Sequence, residues 1–187
     1  LDRNTSGALI MALNGMALRD LNSAIREGLV KKKYLALVCG EIEPRGRIAA
    51  PLLKDTSMNL VTVAPGGKNA LTIFTRLFSS AELSLVEVDL VTGRAHQARV
   101  HLSYTGHPIL GDVKYGKGSM NDRWRSRGVR RPMLHAVEIG FSRPMGVISY
   151  LSGETFSASL PVDFISVMEA MDWYYSLPPG AEKDHIS

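Results

Sequence analysis

The amino-acid sequence predicts an α+β fold, a mixed and largely antiparallel sheet flanked by a few helices. Three observations carry that expectation. Apolar runs of strand length outnumber helical stretches, and several of them are separated only by short turns, which fits a mixed sheet better than a doubly wound parallel one. The chain has 187 residues with 45% hydrophobic and 21% charged content, enough for one domain with a real core.

The elements follow in order. Ala8 to Leu13 is a continuous apolar run predicted to be a core strand, and Asn14-Gly15 offers a turn or a helix cap. Leu18, Leu21, Ile25 and Leu29 then recur at spacings of three, four and four, the apolar face of a helix ending near Gly28. "YLALVCG" (34–40) reads as a buried strand, with shorter strands at Leu60 to Ala64 and Ala70 to Phe78. In "SLVEVDLVTG" two sets of residues alternate, a half-buried strand with an acidic outer face. After Gly93 the period becomes helical, predicting a helix from about Ala95 to Thr105 that stops at Gly106. "PMLHAVEIGF" and "ETFSASL" read as strands, and Phe164, Val167, Met168 and Met171 as a closing helix. Residues 1–177 are expected to form the domain and 178–187 a frayed tail.

Charge is concentrated rather than spread. Lys114, Lys117, Arg123, Arg125, Arg127, Arg130 and Arg131 face one acid, Asp122, so 114–131 carries +6 of a net +4, leaving −2 elsewhere. With Tyr115 and Trp124 interleaved, such a stretch suits a polyanion, although a solvated loop would look the same. No apolar run approaches the roughly 20 residues of a membrane-spanning helix, and Asp2 and Arg3 leave no room for a signal peptide, so a soluble chain without a membrane partner is expected. The chain begins at Leu1, not Met, as a fragment or processed product would. Its compartment stays open: cytoplasmic for a bacterial protein, mitochondrial or another organelle if a targeting segment was removed. A single cysteine, Cys39, excludes an internal disulfide and reads as a buried small hydrophobe.

Arg94, His96 and Arg99 crowd the amino-terminal end of the helix after Gly93, where the dipole already presents positive charge. An anion is expected there, either a nucleic-acid phosphate or a carboxylate that needs a guanidinium partner. His96, His101, His107 and His135 lack metal-ligand spacing, so no metal is expected. "NTSGA" around Ser6 is not the G-x-S-x-G elbow of serine hydrolases.

Four segments together resemble the RluA-type pseudouridine synthases. "LDRNTSG" resembles their L-D-R-D-T-S-G, "KKKYLALVCG" their K-x-Y-x-A-x-V-x-G, "LVTGRAHQARVHLSYTGHPILGD" their L-x-T-G-R-T-H-Q-I-R-V-H-L with the following G-H-P-I-x-G-D, and "RPMLHA" their R-x-x-L-H-A. They fall in the family's order between Asp2 and Ala136, and "LPVDF" resembles the family's carboxy-terminal end. Asn4 and Ala95 depart from the usual aspartate and threonine.

The resemblance implies the pseudouridine synthase fold and an isomerase that converts uridine to pseudouridine in structured RNA with no cofactor. Ribosomal RNA is the first expected partner, with transfer RNA and pre-ribosomal proteins as further candidates. By motif, Asp2 is the catalytic aspartate, Tyr34 the residue stacking on the target base and a candidate general base, Arg99 the partner of Asp2, and Leu134 an apolar wall. Arg94, His96, Lys114, Arg123, Trp124, Arg125 and Arg127 are the candidates for binding RNA. The family places a His-Arg pair just before this Leu-Asp, with further strands upstream, so the sheet is expected to show an unpaired edge. The alternative is a catalytically silent RNA-binding ribosome-assembly factor with the same fold. A DNA-binding protein is disfavoured, since nothing reads as a helix-turn-helix.

Overall fold

The structure, a computed structural model, describes residues 1–173, so the predicted tail from Pro178 lies outside the described residues. In chain order the strands are β1 (Ser6–Gly7), β2 (Val30–Cys39), β3 (Arg45–Ala49), β4 (Leu52–Asp55), β5 (Leu60–Val63), β6 (Leu71–Ser79), β7 (Leu83–Leu90), β8 (Leu134–Phe141) and β9 (Thr155–Ser157). The helices are α1 (Gly15–Arg26), α2 (Gln97–Tyr104), α3 (Gly118–Arg125) and α4 (Val162–Ala170), with a 3-10 turn at Gly146–Leu151. The main sheet runs β1-β8-β2-β7-β6-β3, with β9 also on β8, and β4 and β5 form a separate hairpin. Every pairing is antiparallel except the two-residue parallel bridge of β1 to β8. The expected α+β class with a mostly antiparallel sheet is what forms.

β2 is the central strand, and its second half, Tyr34 to Cys39, is buried throughout. Ala98 and Leu102 of α2, Trp124 of α3 and Phe164, Val167 and Met168 of α4 join β2 and β7 in the main core. A smaller core packs Leu21 and Ala24 of α1 on Ile139 and Phe141 of β8. A bulge in β8 makes this possible: Tyr34 pairs with Ala136 and Lys33 with Glu138, leaving one extra residue on β8. Paired residues share a face, so Leu134, Ala136, Ile139 and Phe141 all lie on the side of Lys32 and Tyr34. Without the bulge, Ile139 and Phe141 would turn to the other face.

Several expectations are corrected. Ala8 to Leu13 is not a strand: only Ser6 and Gly7 pair, and beyond the bond from Ala8 N–H to the Ala136 carbonyl the segment runs on with no ladder. Ala8, Ile10 and Ala12 pack inward, whereas Leu9, Met11 and Leu13 are 62%, 76% and 93% exposed. An apolar run of strand length therefore marked an extended segment with one buried side. On α1 the buried residues are Leu21 and Ala24, while Leu18 and Ile25 of the predicted face are exposed, because β8 covers only a narrow stripe of the helix. β7 is not simply half-buried; Leu83 to Val86 are covered on both faces, and only Glu87 and Asp89 give the acidic side. β3 and β4, too short and polar to stand out, were not foreseen. The basic stretch is no loop, since α3 folds within it. β9 forms, but its three residues are exposed.

Candidate functional site

Asp2 is carried on the turn before β1; one bond closes that turn and two contacts fix the chain to β8. Thr5 N–H donates to the Asp2 carbonyl at 3.0 Å, Ser6 Oγ meets His135 Nδ1 at 2.9 Å, and Gly7 packs against the Ala136 backbone. His135 Nε2 lies 3.1 Å from the Ala158 carbonyl, so Nε2 carries the proton and Nδ1 accepts from Ser6. Gly7 has φ +114°, and a Cβ there would overlap the Ala136 carbonyl oxygen, so this close approach requires glycine.

Arg99, on α2, binds two carboxylates at once. Its Nε donates to Asp112 Oδ2 at 2.7 Å and its Nη2 to Asp112 Oδ1 at 2.9 Å, while Nη1 reaches Asp2 Oδ2 at 3.3 Å. The two-point grip belongs to Asp112, whose side chain is fully buried; those of Arg99 and Asp2 are 12% and 26% exposed. Backbone N–H groups of Lys114 and Tyr115 also donate to Asp112 Oδ1. Burial pushes the Asp112 carboxyl up, but the Arg99 hydrogen bonds and charge, with those two amides, hold it below the usual carboxylate range. Burial likewise opposes the charge on Arg99, and Asp112 and Asp2 together keep its pKa above the ordinary value.

A cleft of about 300 Å³ opens over Asp2. Val30, Lys32 and Tyr34 of β2 floor it, Leu134 and Ile25 close its sides, and residues 91–99 form the opposite wall. Asp2 is its only carboxylate among the described residues. Tyr34 is 8% exposed, and burial, reinforced by the Asp2 charge, raises its phenol above the ordinary tyrosine value. The wall is held by Gln97, which is buried: its carbonyl accepts from Thr92 Oγ1 and Arg94 N–H, and its amide donates to the Leu71 carbonyl and Thr72 Oγ1. His96 is not helical as expected but sits at φ 53°, ψ 18° just before α2, with no capping bond. A side chain with a Cβ is rarely found in that left-handed region. Its Nδ1 lies 2.7 Å from the Tyr115 hydroxyl, which also accepts from Val61 N–H at 3.0 Å. The Tyr115 proton is thereby directed to Nδ1, leaving the proton of neutral His96 on Nε2. Burial lowers the His96 pKa, with Asp2 opposing and Arg99 and Lys114 adding to the shift. The Arg99 guanidinium also lies 5.1 Å over the Tyr115 ring.

Asp2, Tyr34, Arg99, Leu134, Arg94 and His96 thus converge on one cleft. Arg94 donates from Nε to the Asn69 carbonyl at 3.0 Å, so part of its guanidinium is committed to the fold. Lys114 lies beside the site, its Nζ on the Asn59 carbonyl and 5.9 Å from the Tyr115 ring centre. Arg123, Trp124, Arg125 and Arg127 do not reach the cleft. Trp124 corrects the expectation of an aromatic face for bases: it is 3% exposed, and its indole N–H donates to Glu82 Oε1 at 2.8 Å. Arg123 pairs with the same Glu82 at 3.3 Å, Arg127 stacks over the outer ring face of Trp124 at 5.1 Å, and Arg131 is held by Asp163. Sequence reasoning missed Asp112 and Lys32, and gave Tyr115 only as an aromatic of the basic stretch, not as the partner of His96. Asp112 ends the quoted "GHPILGD" segment and Lys32 is the second residue of "KKKYLALVCG", so both stood inside motifs without an assigned task. Cys39 is buried as expected, which raises its thiol to about 11. Among the described residues no group of three His, Cys, Asp or Glu side chains could hold a metal.

Fold and site together define a class: an antiparallel-sheet protein whose cleft, large enough for a nucleotide-sized ligand, is centred on a carboxylate held by a guanidinium. The sequence profile of the RNA pseudouridylate synthase family matches residues 1–104, and the chain belongs to that family. Ribosomal large subunit pseudouridine synthase C of Vibrio cholerae is 43% identical over 145 residues, covering 77% of this chain and 46% of the relative. The protein of the same name from Pasteurella multocida is 40% identical over 167 residues, 87% of this chain and 49% of the relative. The chain therefore spans about half the length of the curated relatives it matches. Among solved structures, human RNA pseudouridylate synthase domain containing 1 superposes with a TM-score of 0.63 at 28% identity, over 95% of this chain and 79% of that one. Human RNA pseudouridylate synthase domain containing 4, at 22% identity and a TM-score of 0.65, shares the fold over 84% of this chain and 67% of its own.

Proposed function

We propose that this chain carries the catalytic centre of an RNA pseudouridine synthase and that its substrate is a uridine in large-subunit ribosomal RNA. The observation that carries the reading is the Asp2–Arg99–Asp112 arrangement beside Tyr34 and Leu134. The names of the relatives favour ribosomal RNA as the substrate.

The chemistry asks for what this cleft offers. The bond from uracil N1 to ribose C1′ breaks, C5 bonds to C1′ in its place, the C5 proton leaves, and N1 gains a proton. Substrate and product are isomers, so no redox partner or group donor is consumed. Asp2, as the only carboxylate lining the cleft among the described residues, is the group to attack or deprotonate at the sugar or base. Arg99 holds it in place from Nη1 at 3.3 Å. The uracil must leave its stack to be reached, and Tyr34 and Leu134 supply a replacement for its lost neighbours. Burial and Asp2 raise the Tyr34 phenol above the ordinary tyrosine value, and Tyr34 enters this reading as the stacking face and the candidate base for the C5 proton. A silent RNA clamp would have no use for a carboxylate and guanidinium held together beside apolar walls.

Asp2→Ala is the test, in the full-length protein on a large-subunit ribosomal RNA transcript. Pseudouridine formation should disappear while RNA affinity stays within about threefold, since one carboxylate adds nothing to phosphate binding. A variant that still forms pseudouridine removes the assignment.

A further inference from the structure

Lys32 carries a charge that the protein itself leaves unanswered. Two nearby cations are committed: Lys33 pairs with Glu87 at 3.7 Å on the other face of β2, and Arg99 has Asp112 and Asp2. Lys32 is half-buried, and its ammonium makes no hydrogen bond or ion pair among the described residues. It shares the face of Tyr34, two residues on, and lines the Asp2 cleft. It also lines an adjoining cavity of about 190 Å³ whose other walls include Ile10, Leu21, Ile25 and Ile139. Burial lowers its pKa, and no nearby carboxylate offsets the effect. An ammonium at an apolar seam opposes folding, so its presence calls for an anion that arrives from outside.

We propose that Lys32 binds a backbone phosphate of the RNA, the one adjoining the nucleotide that enters the Asp2 cleft. This rests on the RNA reading above. A lysine ammonium is a compact point charge with three rotatable donors, suited to a phosphate whose approach angle varies. Uracil and ribose are neutral, so the phosphodiester is the anion that every RNA ligand brings to this position. Asp2 lines the same cleft but makes no ion pair with Lys32, and its Oδ2 is held by Arg99.

The test measures binding apart from turnover. Affinity of the full-length protein for a ribosomal RNA transcript is titrated between 50 and 200 mM salt for wild type, Lys32→Met, Lys32→Arg and Lys33→Met. Losing one phosphate contact should reduce the log–log salt slope by about 0.7–0.9, so that the affinity gap between Lys32→Met and wild type narrows about threefold across that range. Lys32→Arg should restore the slope, and Lys33→Met, whose charge points away and is paired, should leave it unchanged. Lys32→Met should also raise the melting temperature of the free protein, which a lysine kept for structure would not do. An unchanged slope and affinity in Lys32→Met overturns the proposal, as does an equal effect of Lys33→Met. A wild type that binds RNA but forms no pseudouridine defeats the catalytic reading while the phosphate contact stands on its slope. A wild type that binds no RNA removes both.

Discussion

Asp112→Asn offers the most direct examination of how the site is held. The change keeps size and shape but removes the negative charge that Arg99 grips at 2.7 and 2.9 Å, and presents an amide N–H₂ to one of those donors. Asp112 is fully buried and Arg99 12% exposed, so the guanidinium is left with one neutral bond to the remaining amide oxygen and the bond to Asp2 at 3.3 Å. Breaking a buried pair on one side costs about 3–5 kcal/mol; the partial exposure of Arg99 places this case near the lower end, about 3 kcal/mol. For a domain of this size that is a fall of about 6–12 °C in melting temperature. Arg99 should then swing toward Asp2, and a displacement of the carboxylate by an ångström lowers kcat about a hundredfold. Urea unfolding gives the first number. The second comes from tritium released as C5 of labelled uridine bonds to ribose, measured well below the melting temperature. Asp163→Asn is the control, because Arg131–Asp163 has the same two-point geometry at 2.7 and 2.8 Å and lies outside the cleft. It should cost stability and leave kcat alone. If Asp112→Asn is as stable as wild type, or loses no more kcat than Asp163→Asn, the inference that Asp112 positions Arg99 for Asp2 is refuted.

Two further outcomes are expected. Burial lowers the pKa of His101 and His135, each of which also has a backbone carbonyl partner, as it lowers that of His96. With folded values below the unfolded ones, the unfolded chain takes up more protons below about pH 6.5, so stability should be full at pH 7–8 and fall as pH drops through 6 toward the folded values. A urea midpoint flat from pH 7.5 to 5 would contradict this. Reversing Arg123, Arg125 and Arg127 to glutamate should weaken RNA binding and flatten its salt dependence, with kcat at saturating RNA kept within about twofold, since none of the three lines the cleft. An unchanged salt slope would make α3 a structural helix only.

What the sequence revealed of this site, and what it hid, has one physical cause. Asp2, Tyr34, Arg99 and Leu134 stand within recognisable segments, and the crowding of Arg94, His96 and Arg99 before a helix required an anion on electrostatic grounds alone. Periodicity was reliable where an element buried one face, as in α4, and failed where neighbours covered both faces or only a stripe, as in β7 and α1. Ala8 to Leu13 failed for a related reason: its inward residues pack on α1, but hydrogen-bonded pairing ends at Ala8, and an apolar run does not say whether a partner strand lies alongside. The anion itself was half concealed. Charge counting pointed to one carboxylate for Arg99, and the folded chain supplies two, with the unforeseen Asp112 taking the stronger grip. That division follows from burial. A fully buried carboxylate cannot stay charged without a two-point partner and backbone donors, whereas one left 26% exposed can be held by a single longer bond. Asp112 thus fixes the guanidinium, and Asp2 remains the freer of the two carboxylates, open to the cleft where a substrate would meet it.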